Sequence, residues 1–285
     1  KEVNFADINS IDKASNVIRD AIHDTTMPED LSKEILQAFD KLFANDSNNC
    51  CYVAVRSSAT AEDSSVASWA GELDTFLNTT RDNVVEAVKN CWSSLFTPRA
   101  IFYRYEKNLV ETKVSVAVII QKMIQSEISG ITFTVHPITK DQNQMIIEAG
   151  LGLGEAVVSG QITPDSYVVL KSEMSILDIN LGEQTKKLVK GKEENIWVEL
   201  SKTEGGKQKL TGKQIIELAE ICQYIEKHYG FPCDIEWAFE KNKFYIVQSR
   251  PITTLSKKVD HKLSADDEVI NKIKTFIKSN DLDIQ

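Results

Sequence analysis

The segment that most restricts what this chain can fold into lies towards its C-terminal end. Ile235 to Phe239 and Phe244 to Val247 are strand-like runs that flank Lys241-Asn242, the signature of a β-hairpin. Side chains alternate along a strand, so the loop length decides which residues share a face. A three-residue loop, Lys241 to Lys243, opposes Glu236 to Gln248 and Asp234 to Arg250, all on one face. A two-residue loop would put Glu236 and Gln248 on opposite faces. With the odd loop, one sheet face presents a carboxylate, an amide oxygen and a guanidinium. Hard oxygens suit magnesium and arginine suits phosphate, so that face fits a magnesium–triphosphate group. A surface ladder with a single ion pair has the same pattern, and the hairpin alone leaves both readings open.

The rest of the chain sets the class. Residues 11 to 44 have apolar residues at helical spacing, in two helices separated near Pro28. Asn45 to Asn49 is a polar loop, and Asp82 to Tyr105 is helical with a break at Thr97-Pro98. Tyr52 to Val55, Val114 to Met123, Ile131 to Val135, Met145 to Ala149, Tyr167 to Leu170 and Ile196 to Leu200 are expected strands. Leu210 to Tyr229 is an amphipathic helix closed by Gly230. Strands and helices do not alternate, which points to α+β and disfavours a doubly wound nucleotide fold. No internal repeat is visible.

Charge and composition remove several classes of function. Lys and Arg number 33 against 42 Asp and Glu, a net charge of −9, so a nucleic-acid partner is not expected. Any phosphate-bearing ligand must be held by a few local donors. No apolar run approaches the length of a membrane span, and Val114 to Ile120 is far too short. Cys50, Cys51, Cys91, Cys222 and Cys233 form no CxxC, and the four histidines form no metal motif. Free thiols and a cytoplasmic location are expected. The chain begins with Lys1 and no signal peptide follows, which suggests a fragment from within a longer protein.

Three further segments carry candidate chemistry. Arg56-Ser57-Ser58-Ala59-Thr60 follows a strand, where small hydroxyl residues would leave backbone N–H groups open to an anion beside Arg56. A plain strand-to-loop transition fits the same residues. Ser68-Trp69-Ala70-Gly71-Glu72, followed by Thr75, is a second small-residue loop in which Gly71 would admit a close ligand. It lacks P-loop spacing, and a simple turn is the alternative. Gly150-Leu151-Gly152-Leu153-Gly154 follows a strand, but its third glycine comes one residue early for a dinucleotide fingerprint.

Taken in order, RSSATAEDS (56–64), WAGELDTF (69–76), EAGLGLGEAVVSGQITPD (148–165) and HYGFPCDIEWAF…YIVQSRPI (228–252) resemble one known domain. It is the N-terminal nucleotide-binding domain of the phosphoenolpyruvate synthase and pyruvate phosphate dikinase family, which the rifampicin phosphotransferases share. The resemblance implies an ATP-grasp fold, two α+β lobes holding ATP with Mg2+ between them. In that family ATP is split and its β-phosphoryl passes to a histidine on a separate swivelling domain. The γ-phosphate goes to water or to inorganic phosphate. Carried over by position, Arg56 and Arg250 resemble the phosphate-binding arginines, and Gly71 and Thr75 the loop that closes over the phosphates. Gln121 and Met123 stand where a strand edge meets adenine, and Glu236 and Gln248 match the metal ligands.

There are departures from the family pattern. The glycine-rich segment with a phosphate-contacting Lys is absent, as is the phosphohistidine motif. Lys140 stands where Gly is usual, and Cys233 where Gln or Met is usual. The resemblance places a nucleotide-binding domain at 1–255 and a charged linker and helix at 256–285, leading to a phosphohistidine domain. It implies a phosphotransferase of the pyruvate, water dikinase type. The alternatives are the ATP-binding domain of a rifampicin-type enzyme and a non-catalytic nucleotide-binding module.

Overall fold

Two antiparallel sheets carry the molecule, and each has one dry face and one face turned to a common cleft. The computed structural model describes residues 3–44, 51–60, 73–192, 194–252 and 255. The described residues up to Pro251 belong to one unit, and a second unit begins at Ile252. The helix-and-sheet mixture is α+β, as expected.

The smaller sheet has the order β2-β1-β3, with β1 at Val53–Ala59, β2 at Thr75–Thr79 and β3 at Val116–Lys122. Alternation assigns its two faces. Val53 and Val55 are fully buried. They pack with Val118 and Ile120 against Val84, Ala87, Val88 and Cys91 of helix Val84–Ser94, and against Phe39 of helix Glu29–Leu42. Ala54, Arg56 and Gln121 point the other way, into the cleft. The expected break after Val55 does not occur. β1 runs through Ala59, with Arg56 paired to Ile119, Ser57 to Val118 and Ser58 to Ala117. The backbone here is therefore committed to the ladder and is not an open anion loop, which fixes Arg56 on a rigid central strand.

The larger sheet has the order β11-β10-β4-β5-β6-β7. Its strands are β4 Ile128–Phe133, β5 Gln144–Leu151, β6 Asp165–Leu170, β7 Ser175–Asn180, β10 Cys233–Glu240 and β11 Lys243–Pro251. The dry face of β5, β6 and β10 presents Ile147, Ala149, Tyr167, Val169, Ile235 and Trp237 to helix α7, Gly212–Tyr229. Ile215 and Leu218 of α7 are fully buried there, and each such side chain stabilises the fold by about 1.5–3 kcal/mol. Thr211 and Gln214 form a capping box that starts α7 at Gly212. Trp237 also explains a glycine in mid-sheet. A Cβ on Gly130 would lie 2.5 Å from the indole and 1.8 Å from the Glu148 carbonyl oxygen.

A two-stranded sheet, β8 Lys186–Lys190 with β9 Asn195–Glu199, stands beside both larger ones. Leu188 packs with Leu153 and Met123. The Lys190 ammonium sits 4.2 Å from the centre of the Tyr52 ring, and Asn78 donates to Asn195 at 2.6 Å. Below it lies a buried ion pair. Lys209 donates to Asp165 at 2.8 Å, neither side chain is exposed, and Tyr167 donates to the other Asp165 oxygen at 2.7 Å.

Candidate nucleotide site

The cleft between the sheets is a cavity of about 580 Å³. Arg56, Thr75, Gln121 and Met123 of the expected set line it from the smaller-sheet side, and Glu236 from the larger. Thr75 is a strand residue paired with Arg56, where a loop was expected. Gly71 lies outside the described residues, as do Asn45 to Asn49 and Cys50.

The hairpin explains how Glu236 and Gln248 come to share a face. The loop is the two residues Lys241 and Asn242, with φ 51° and 60°, and Glu240 pairs with Lys243. This corrects the three-residue loop expected from sequence; the positive φ values are those of a tight hairpin turn. A β-bulge between Glu236 and Trp237 then restores the parity. Trp237 pairs with Ile246, whereas Glu236 pairs with Gln248 and Asp234 with Arg250, so Val247 is the extra residue. The pairing argued from an odd loop is present, produced by a bulge. The ladder continues from Glu236 to Ile131 and on to Glu148, so all four residues share the cleft-side face.

The bulge also supplies an acceptor. The Val247 carbonyl receives Arg56 Nη1 at 3.2 Å and Gln121 Nε2 at 3.0 Å. Arg56 Nη2 donates to Glu236 Oε2 at 3.2 Å and to the Gln248 amide oxygen. The Arg56 and Glu236 side chains are about one-fifth exposed, so the pair is shielded from bulk water. Arg250 lies one step along the same face, donating through Nε and Nη2 to Asp234 at 2.8 and 2.7 Å. Burial, and secondarily the Asp234 charge, push the Glu148 carboxyl above the ordinary carboxylate range.

Sequence reading missed other lining residues. Arg99 follows Thr97-Pro98, the cap and first position of helix Pro98–Glu106, and adds a guanidinium to the cavity wall. Gly154, Glu155 and Ser129 line the opposite wall. The glycine run is the signal for that wall. Gly152 has φ +94°, and a Cβ there would lie 2.5 Å from the Leu188 carbonyl oxygen. It turns the chain from β5 into the short helix Glu155–Val158 beside the cavity.

Among the described residues, no group of three or more His, Cys, Asp or Glu side chains could hold a metal ion, and no helix is long and apolar enough to cross a membrane. A cation in the cleft would instead have one carboxylate, Glu236, and one amide oxygen, Gln248, with further oxygens from its ligand. That hard-oxygen set fits magnesium, which is commonly held by one or two carboxylates together with phosphate oxygens. Both oxygens are bonded to the Arg56 guanidinium in this structure.

Comparison with known proteins shows the family. Residues 1–269 match the family described as pyruvate phosphate dikinase, AMP/ATP-binding domain. A probable phosphoenolpyruvate synthase of Methanocaldococcus jannaschii is 45% identical over 269 residues, covering 94% of this chain and 23% of the relative. The phosphoenolpyruvate synthase of Pyrococcus furiosus is 43% identical, covering 88% of this chain and 32% of the relative. A rifampicin phosphotransferase of Bacillus subtilis is 41% identical, covering 87% and 28%. The chain thus spans roughly a quarter to a third of the length of these relatives. On that match and those identities, the chain belongs to the pyruvate phosphate dikinase AMP/ATP-binding domain family.

Proposed function

We propose that this chain is the ATP-binding part of a phosphoenolpyruvate synthase, a pyruvate, water dikinase. It would hold Mg–ATP in the cleft and present the β-phosphoryl to a histidine on a swivelling domain of the same protein. The observation that carries this reading is the meeting of Arg56 with Glu236 and Gln248 across the two sheets. The fold reading is ATP-grasp, since two sheets of opposite lobes face each other across one cavity. Residues 1–255 would form the nucleotide domain; the linker and helix expected at 256–285 lie outside the described residues.

The roles follow from charge and position. Arg56 and Arg250 would donate to phosphate oxygens and neutralise the charge that builds as the phosphoryl group leaves. Glu236 and Gln248 would hold magnesium, which would supply positive charge against the phosphates. Thr75 and Gly71 would cover the phosphates, and Gln121 and Met123 would flank the base. The covalent acceptor is a histidine outside this chain, so the work of these residues is positioning and electrostatics. Losing one such donor costs about 2.7–4 kcal/mol of transition-state stabilisation in comparable dry sites. A cytoplasmic location fits the free thiols at Cys91, Cys222 and Cys233.

Calorimetric titration of the chain with ATP, ADP and AMP, with and without magnesium, tests the reading. Binding by wild type that weakens in Arg250→Ala supports it. No binding by any nucleotide, or binding unchanged in Arg250→Ala, refutes the site. The 41% identity to the rifampicin phosphotransferase favours a second reading, the same ATP site serving a different acceptor. Phosphate transfer by the full-length protein to pyruvate or to a rifamycin separates the two.

A further inference from the structure

One guanidinium nitrogen, Arg56 Nη2, is bonded to both oxygens assigned to the metal. The other terminal nitrogen, Nη1, is held by two neutral acceptors, the Val247 carbonyl at 3.2 Å and the Gln121 amide oxygen at 3.4 Å. Arg56 is therefore anchored along one edge while its other nitrogen neutralises the Glu236 carboxylate. We propose that Arg56 is an internal counter-cation for the Glu236–Gln248 pair, so that a divalent metal reaches the pair only together with a polyphosphate. The inference rests on the nucleotide-site reading above and adds an order of loading to it.

The physical argument is competition. A metal ion arriving alone must displace Arg56 from Glu236 and then remain beside a guanidinium that has gained no new partner. It would find one carboxylate and one neutral amide oxygen, too few protein charges to offset that repulsion and the loss of its own water. A polyphosphate changes the balance in two ways. It offers Arg56 anionic oxygens in the bidentate geometry that guanidinium prefers, which releases Glu236. It also brings its own oxygens to complete the metal's shell. Lysine would not serve as well, because its donors all sit on one nitrogen and lack the planar fork that meets two phosphate oxygens side by side.

Manganese as a magnesium substitute, followed by electron paramagnetic resonance and calorimetry on the 285-residue chain, tests this without any turnover. Wild type is expected to bind Mn2+ alone weakly and to bind it well when ADP is added. Arg56→Gln and Arg56→Met, which remove the charge at similar length, should bind Mn2+ alone about tenfold more tightly or better. The gain should vanish in Arg56→Gln combined with Glu236→Gln. Variants without a gain, or wild type binding Mn2+ alone as tightly as they do, overturn the proposal. Should both variants fail to fold, by circular dichroism, wild type decides against Glu236→Gln alone. Tight nucleotide-free Mn2+ binding that Glu236→Gln abolishes overturns the proposal; weak binding that ADP strengthens supports it. If wild type binds no nucleotide while the variants gain Mn2+, the counter-cation role stands and the nucleotide reading falls.

Discussion

Arg56 donates to the carbonyl of Val247 at 3.2 Å, and that carbonyl is available because Val247 is the residue bulged out of the β10–β11 ladder. The bulge therefore sets parity and supplies an anchor. Deleting Val247 should leave Glu236 opposite Gln248, since Val247 is the unpaired extra residue. It should remove the acceptor shared by Arg56 and Gln121. A hydrogen bond to a charged group contributes about 1.5–3 kcal/mol, so nucleotide affinity should fall about 10- to 100-fold with the hairpin still folded. Calorimetry with Mg–ATP and far-ultraviolet circular dichroism measure the two halves. Unchanged affinity would mean that the bulge carbonyl does not position Arg56.

The Asp165–Lys209 pair should be among the most sensitive places outside the cleft. Lys209 Nζ also donates to the Gly182 and Gly205 carbonyls at 2.7 and 2.8 Å, and the Gly182 N–H donates to Asp165 at 3.0 Å. The pair joins β6 to the segments that lead into β8 and α7. Lys209→Met leaves a buried carboxylate without its cation and should lower stability by about 3–5 kcal/mol. The loss is read from urea unfolding. A change below about 1 kcal/mol would show that water or another cation replaces the ammonium readily.

The strong periodicities carried most of the helices and the core strands. Ile215, Leu218 and Cys222 mark the buried stripe of α7, and Val53 and Val55 mark the dry face of β1. β2, β7 and β8 were missed for a common reason. Thr75, Asn78, Asp178, Asn180, Lys186 and Lys190 are polar, and β7 is the outermost strand of its sheet, so these strands lack a strong apolar signal. In the site, Glu236, Gln248 and Arg56 were legible as residue types. The bulge was not, because one extra residue in a strand leaves no mark on composition. Lys140 shows the converse. Its φ of +59° is a left-handed conformation, the physical reason that glycine suits this turn.

The cysteines give a pH-dependent expectation. Burial pushes the Cys222 thiol up to about 12, and burial also raises Cys91 and Cys233. The thiolate is the reactive form, so iodoacetamide at pH 8 should leave Cys222 unmodified in the native chain and label it after unfolding. For stability, a folded pKa above the unfolded one means that the contribution is complete below about 9. It is lost as pH rises from there towards 12, because the unfolded chain releases its proton first. Labelling followed by mass spectrometry checks the first point and alkaline thermal melts the second. Rapid native labelling of Cys222 at pH 8 would contradict the burial argument.

Glu148 should show the same sign at acid pH. It stands on the cleft face beyond Ile131, and burial first, then the charge of Asp234, raise its carboxyl above the usual range. Arg250 is already engaged with Asp234, so that cation does not serve Glu148 alone. The folded state thus holds the Glu148 proton more tightly than the unfolded chain does. Its contribution is fully present below the unfolded carboxylate value, near 4.5, and is lost as pH rises through the higher folded value. Gln is a neutral mimic of the protonated acid. Glu148→Gln should therefore melt close to wild type at pH 4 and above it at pH 7, the difference opening over the carboxylate range. Paired thermal melts from pH 4 to pH 8 measure it. A variant that melts below wild type at pH 7 would show that the ionised Glu148 is stabilised in the fold, reversing the sign argued from its burial.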